Sequence, residues 1–373
     1  MTVDAGWAQR NLGLTFNGAS AAQSHEHPAD DRALARELID FDSERADLSL
    51  FAAAATPASA TLSKFVNIDW PDGLAPIPGD EPRGESLPDA DVLIVTWTVD
   101  EGHALSRVLT PGHDSHDDWK PYTKNFTKIA EKMRAGCPAR DYHRLGTYWT
   151  ATIGDKKVTL FKSDSHMSQD GPELANADVW RQIIADTNPR WVITTGTGGG
   201  IGREAEVGDV IVSRFVTFDC QREFKRLNGE SFACAQDPPE ERLESATKLF
   251  SYNAKFLPPD NSRAPKIIVA PAADEGVLTT DFFGFDNTDD TYKLQGKGDL
   301  SEMGDAVLGM VCSELGSQAP EYVMVRNVSD PEIASSGLTL EQQTELAADI
   351  YKGYGRWSTV CSAIVCWGIV AAL

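Results

Sequence analysis

Three stretches of the chain carry residue types and spacings that could do chemistry. The first is EGHALSRVLTPGHDSHDDW, where His103, His113, Asp114, His116, Asp117 and Asp118 offer nitrogen and carboxylate ligands suited to zinc or a similar ion. Proline, glycine and serine punctuate that run, so it reads as a solvated polar loop and no metal or other cofactor is expected. The second is KSDSHMSQDG, whose Asp164, His166 and Asp170 stand where an anion site would need arginine. The third is WVITTGTGGGIGREAEVGDVIVS, from Trp191 to Ser213. There Gly196 and Gly198 fit the first half of G-x-G-x-x-G, but Ile201 holds the third glycine position and no Gly-Lys-Ser/Thr occurs. A strand pattern follows these glycines where a dinucleotide or phosphate loop would open a helix. The glycines therefore either let backbone approach a ligand in another way or close a structural hairpin. No G-x-S-x-G nucleophile signature is present.

Such groups need a scaffold, and the sequence describes one. From Val92 onward, short apolar runs (VLIVTWT, KKVTLFKS, RWVITTGT, DVIVSRFV, KIIVAPA, EYVMVRNVSD) alternate with helical ones such as ADVWRQIIADTN and DAVLGMVCSELG. Fully apolar strands alternating with helices predict an α/β sandwich with a mostly parallel or mixed central sheet. No internal repeat is evident. Residues 1–88 differ, with alanine- and acid-rich polar sequence and then DWPDGLAPIPGDEPRGESLPDAD, which reads as a linker. Within this extension, DDRALARELIDFDSERADLSLFAAAA has apolar residues at helical spacing and predicts a helix that docks on the main body or on a second subunit.

Composition narrows the partners. Hydrophobic residues make up 41% of the chain, ample for a buried core. A net charge of -22 argues against nucleic acid or an anionic membrane as partner. The six cysteines lack C-x-x-C spacing, and MTVDAGWAQR lacks a signal pattern, so a reducing, cytoplasmic setting is expected. The apolar stretch from Ser358 to Leu373 is shorter than the ~20 residues of a membrane span and predicts a core helix.

Taken in order, Gly196 to Gly200 followed by VGDVIVS, then SEMGDAVLG and VMVRNVSD resemble the nucleoside phosphorylase and nucleosidase superfamily. That group includes purine nucleoside phosphorylases, methylthioadenosine/S-adenosylhomocysteine nucleosidases and AMP nucleosidases. The resemblance covers about residues 89 to 373 and implies a three-layer α/β/α sandwich with a mixed sheet. The implied reaction is cleavage of the N-glycosidic bond of a purine nucleoside or nucleotide, with water or phosphate as acceptor. It passes through an oxocarbenium-like sugar, so the departing base needs a proton.

The resemblance also implies roles. Asp330 matches the acid that serves the purine N7, and Ser329 the neighbour that orients it; Glu101, ahead of Asp100, matches the base that activates water. Thr197 with the amides of Gly198 and Gly199 would hold sugar, water or phosphate oxygens, and His166 lies in the loop where the family places a phosphate-contacting or glycine-rich segment. Phe283 would stack on the purine, with Phe282 second and Phe218 as a lid. The family's ribose-binding Met-Glu pair is altered, because Met303 is followed by Gly304, with Glu302 before it and Asp305 after. On a helix those two acids would flank the expected position, and neither reproduces its geometry. Two acids in KSDSHMSQDG favour water over phosphate, although Arg203, Arg214 and Arg326 remain candidate phosphate ligands. The expectation is a purine nucleosidase and a homo-oligomer, with a phosphorylase as runner-up and a catalytically inactive nucleoside-binding sensor or storage protein as the reading from another class.

Overall fold

Val92–Thr96 is an unbroken apolar run buried along its whole length, which suits only a central strand covered on both faces. In the computed structural model, which describes residues 1–16, 31–46, 68–254 and 257–373, this strand pairs in parallel with Lys156–Ser163 on one side and Trp191–Gly200 on the other. The far edge of Trp191–Gly200 pairs in parallel with Glu321–Asp330 along nearly its entire length. Outside this parallel centre the sheet turns mixed. Gly146–Ile153 joins Lys156–Ser163 antiparallel, Leu300–Glu302 joins the end of Trp191–Gly200 antiparallel, and Val210–Ser213 joins Glu321–Asp330 antiparallel.

Alternation within the central strand sorts side chains into two cores. Val92 and Ile94 pack with Ala104, Leu105 and Val108 of helix Val99–Leu109 and with Ile364 and Trp367 of helix Leu340–Val370. Leu93 and Val95 point the other way, toward Trp180 and Ile183 of helix Ala175–Thr187 and Val307 and Leu308 of helix Asp305–Leu315. This is the expected three-layer α/β/α arrangement. The expected core helix at the C-terminal end is the second half of the 31-residue helix Leu340–Val370, whose buried small and aromatic residues run along the sheet. Among the described residues no helix is long and apolar enough to cross a membrane.

The segment before Val92 packs against this body. Trp7 of helix Ala5–Leu12 meets Tyr354 edge-on, and Val3 exchanges backbone hydrogen bonds with Glu332 and Ala334. The proline- and glycine-bearing run expected to be a linker contributes the edge strand Ile77–Pro78, paired with Thr152 and Ala151. Its Trp70 packs on Trp367, whose indole N–H donates to the Leu74 carbonyl at 2.6 Å. The predicted extension helix forms over Asp31–Asp40 and is followed by a turn to Ala46; the rest of that predicted helix lies outside the described residues.

One departure from the sequence reading concerns the glycines. They do not form a turn: the strand continues through Gly200, and only then does the chain loop to Val210. Gly196 has φ +149°, and a Cβ there would sit 2.5 Å from a Glu101 carboxylate oxygen. Glycine is needed at this position for a conformation and an approach that a larger residue would block.

Candidate active site

Parallel strands end together, and their carboxyl ends make the natural crevice of an open α/β sheet. Thr96 and Asp330 end two of the three central strands, Gly199 lies one residue from the end of the third, and Glu302 arrives at the same place from the antiparallel partner. The pocket formed there encloses about 730 Å³ of empty space counted to its open mouth. Of the residues singled out by sequence, Glu101, His166, Thr197, Gly198, Gly199 and Phe283 line it, as do Glu302, Met303, Ser329 and Asp330.

Glu101 sits in the first turn of helix Val99–Leu109, where Thr98 caps the helix and the two residues complete a reciprocal capping box. Its Oε2 accepts from the Thr96 hydroxyl at 2.9 Å and from the Trp97 and Thr98 amides at 3.0 and 2.9 Å. Its Oε1 accepts from the Thr197 amide at 2.8 Å and the Thr197 hydroxyl at 2.7 Å. Burial opposes the charge, but the Arg326 guanidinium and these donors outweigh it and hold the carboxyl below its ordinary pKa. Glu101 is therefore an ionised carboxylate at neutral pH.

Asp330 has the opposite environment. It follows a register shift in its strand, and burial pushes its pKa up to about 7, opposed only by the Ser329 hydroxyl donating to Oδ1 at 2.8 Å. The same hydroxyl lies 3.2 Å from the Gly198 carbonyl, which fixes its position between strand and acid. A Cβ on Gly199 would come within 3.0 Å of Asp330 Oδ2, so the missing side chain keeps the space beside that oxygen open.

The altered Met-Glu region is arranged differently from the helical geometry expected of it. Glu302 ends the strand Leu300–Glu302, Gly304 is the N-cap, and Asp305 is the first residue of its helix, so the two acids do not flank a helical position. Asp305 does not line the pocket; it grips Arg326 through Nε and a terminal nitrogen at 2.8 and 2.5 Å. Glu302 does line it, 3.3 Å from the same guanidinium, and accepts from the Asp305 amide and the Thr279 hydroxyl. Burial, reinforced by the Asp305 charge, raises the Glu302 pKa above its ordinary value, while the Arg326 guanidinium opposes the shift. Arg326 also lies over the Trp97 ring, 4.7 Å from its centroid.

His166 is kept neutral: burial lowers its pKa to about 4, and Nδ1 faces the Ser168 hydroxyl at 2.7 Å. The aromatic expectations divide. Phe283 borders the pocket beside Leu38 and Tyr351, whereas Phe282 is buried in a stack on Tyr292 and Phe218 is buried edge-on to Phe232; neither of these two lines the pocket. Arg203 and Arg214 are occupied elsewhere, with Glu332 at 3.6 Å and Asp237 at 2.8 Å. Sequence reasoning missed Trp97, Thr98 and Tyr351, and it missed Ala35, Leu38 and Ile39 from the extension helix. Adjacency to the Val92–Thr96 strand could have flagged Trp97 and Thr98, but no local signal marks the others.

The histidine- and aspartate-rich run lies outside this pocket. His103 Nδ1 pairs with Asp114 at 2.7 Å, and His113 stacks on Trp149. Glu44, His103 and Asp114 bring one ligand atom each within 4.8 Å of one another. Glu44 is already engaged by Arg107 at 2.8 Å and by Arg356, so two cations stand where a metal would need none.

Residues 121–353, more than half of the chain, match the phosphorylase superfamily. No curated protein matches the sequence. Among solved structures, a 5'-methylthioadenosine/S-adenosylhomocysteine nucleosidase from Neisseria meningitidis in complex with methylthio-immucillin-A is 17% identical, with 76% of this chain and 100% of that chain covered at a TM-score of 0.43. An S-adenosylhomocysteine nucleosidase from Streptococcus pyogenes in complex with 5-methylthiotubericidin is 15% identical, covering 77% and 98% at 0.44. A futalosine hydrolase mutant from Helicobacter pylori is 13% identical, covering 77% and 100% at 0.44. Scores of this size carry no assignment; the match over residues 121–353 does.

Proposed function

Because the chain belongs to the phosphorylase superfamily, we propose that its pocket hydrolyses the N-glycosidic bond of a purine nucleoside, releasing free base and sugar. The observation that carries this reading is one pocket holding two carboxyls whose surroundings push their pKa values in opposite directions. Asp330 is raised to about 7 and Glu101 is held below its ordinary value. Such a divergence assigns an acid and a base.

In this reading Asp330 donates its proton to the purine ring as the bond from nitrogen to the anomeric carbon breaks, so the base leaves uncharged. A water oxygen bonds to the oxocarbenium carbon and releases a proton to Glu101. A base of low pKa suffices, because water bonded to a cationic carbon is far more acidic than free water. Glu101 then passes that proton to solvent, and solvent reprotonates Asp330. The Thr197 hydroxyl, donating to Glu101, keeps lone pairs free to accept from a sugar hydroxyl or the water. In this reading Glu302 faces a ribose hydroxyl, and Phe283 offers an apolar face to the base.

Water is favoured over phosphate as acceptor by charge. Among the described lining residues Arg326 is the cation, and it is paired with Asp305 and Glu302 while ionised Glu101 faces the same space. A phosphate dianion would meet repulsion there without a free partner. The test is chromatography of purine nucleosides incubated with the protein in phosphate-free buffer. Base release supports hydrolysis, release only on adding phosphate identifies a phosphorylase, and binding without release identifies a sensor.

A further inference from the structure

One side of the pocket is built by residues that precede the superfamily match. Ala35, Leu38 and Ile39 lie on helix Asp31–Asp40, well before residue 121, and all three face the cavity while being almost entirely buried. Leu38 packs with Tyr351 and Phe283, so this side is aliphatic and aromatic.

The helix is tied down at several points. The Tyr351 hydroxyl lies 3.2 Å from the Leu38 carbonyl and 2.9 Å from the hydroxyl of Thr98, which caps the helix bearing Glu101. Gln169 donates to the Arg32 carbonyl at 3.0 Å, Arg36 pairs with Asp141 at 2.9 Å, and Lys352 pairs with Glu37 at 2.7 Å. In the turn that follows, the Ser43 amide and hydroxyl donate to Asp100 at 3.0 and 2.8 Å. These bonds hold the segment in place from both ends.

None of these three side chains can pair with an anion, and the one guanidinium among the described lining residues, that of Arg326, is engaged by Asp305 and Glu302. A charged group brought against Leu38 and Ile39 would lose its hydration and gain no partner, which is costly. We propose that helix Asp31–Asp40 is the specificity-determining wall of the site, and that Ala35, Leu38 and Ile39 select an uncharged nucleoside against its 5'-phosphate. This rests on the nucleosidase reading above. It makes the segment ahead of the family core part of the substrate site.

The experiment compares base release from adenosine and inosine with release from their 5'-monophosphates, for the wild type and for Leu38→Arg and Ala35→Lys. The two variants place a cation on the same helix face one turn apart, so one serves if the other fails to fold, and thermal unfolding identifies the folded ones. The wild type is expected to favour nucleoside over nucleotide in kcat/KM, and a folded cationic variant to shift that ratio toward nucleotide by on the order of tenfold or more. Folded variants that keep the wild-type ratio, or a wild type that prefers the nucleotide, overturn the wall. If no compound releases base, the nucleosidase reading fails separately, and the same ratio taken from calorimetric binding of the four compounds decides the wall on the same criteria.

Discussion

Thr197 directs both its backbone N–H and its hydroxyl to a single oxygen of Glu101, at 2.8 and 2.7 Å. That double contact joins the end of one strand to the first turn of a helix and leaves Glu101 with donors on both oxygens. Glu101→Gln puts an amide NH2 where only donors point, leaving buried donors unsatisfied. The expected cost is about 1 to 3 kcal/mol of stability, read by urea unfolding, together with loss of turnover. Because the folded pKa is lowered, the charge stabilises the fold above the ordinary carboxyl range and that stability is lost as pH falls through the folded value. The Gln variant should lack this acid limb; wild-type stability in the variant would mean that the donors do not serve the carboxylate.

Asp330→Asn should lower kcat by on the order of 10²-fold or more with little change in nucleoside binding, as expected for loss of a general acid. The wild-type rate should decline as pH rises through about 7, because the raised pKa keeps the acid protonated only below that value. The Asn variant should show no such decline. An unchanged kcat, or the same alkaline limb in the variant, would remove Asp330 from proton donation.

Arg326 is buried between Asp305 and Glu302, and burial alone would lower its pKa, yet the two acids raise it above its ordinary value. Arg326→Met leaves Asp305 as an uncompensated buried carboxyl, for an expected loss of about 3 to 5 kcal/mol. Adding Asp305→Asn should recover part of that loss. A double variant no more stable than Arg326→Met would show that the guanidinium contributes by packing on Trp97 instead.

His103 lies between Asp114 at 2.7 Å and Asp42 of the extension at 3.6 Å. Burial opposes its charge and Arg356 adds to that opposition, but Asp114 and then Asp42 prevail, and its pKa is raised. The stability it contributes is complete below the unfolded value of about 6.5 and is lost as pH rises through the higher folded value. The Tm of the wild type should therefore drop relative to that of His103→Gln across that window. Parallel Tm profiles would show that the imidazole carries no linked proton.

Much of the central fold was legible because its signals are local. The apolar run ending at Thr96 fixed a central strand and placed Glu101 just beyond it, and VRNVSD delivered Asp330 to a strand end. Three features were not. Glu302 ends a strand because Gly304 interrupts the chain before helix Asp305–Leu315, and a spacing argument that assumed continuous helix misplaced it. Phe282 and Phe283 are adjacent in sequence yet face opposite surroundings, which depends on Tyr292 and Leu38 arriving from elsewhere. The pocket role of Ala35, Leu38 and Ile39 follows from tertiary docking, for which an amphipathic pattern names a face without naming its neighbour.

Some of the contacts that hold the extension over the pocket join residues about three hundred positions apart, as in Tyr351 with Leu38 and Arg356 with Glu44. Closing so long a span carries a loop-entropy cost that falls once the sheet and its covering helices have brought the two ends together. Two of these ties, Arg36 with Asp141 and Lys352 with Glu37, are ion pairs with an exposed partner, the kind of attachment that opens without global unfolding. Loosening of helix Asp31–Asp40 would separate binding competence from global stability. A variant can keep the melting behaviour of the sheet and still spend much of its time with an incomplete substrate site.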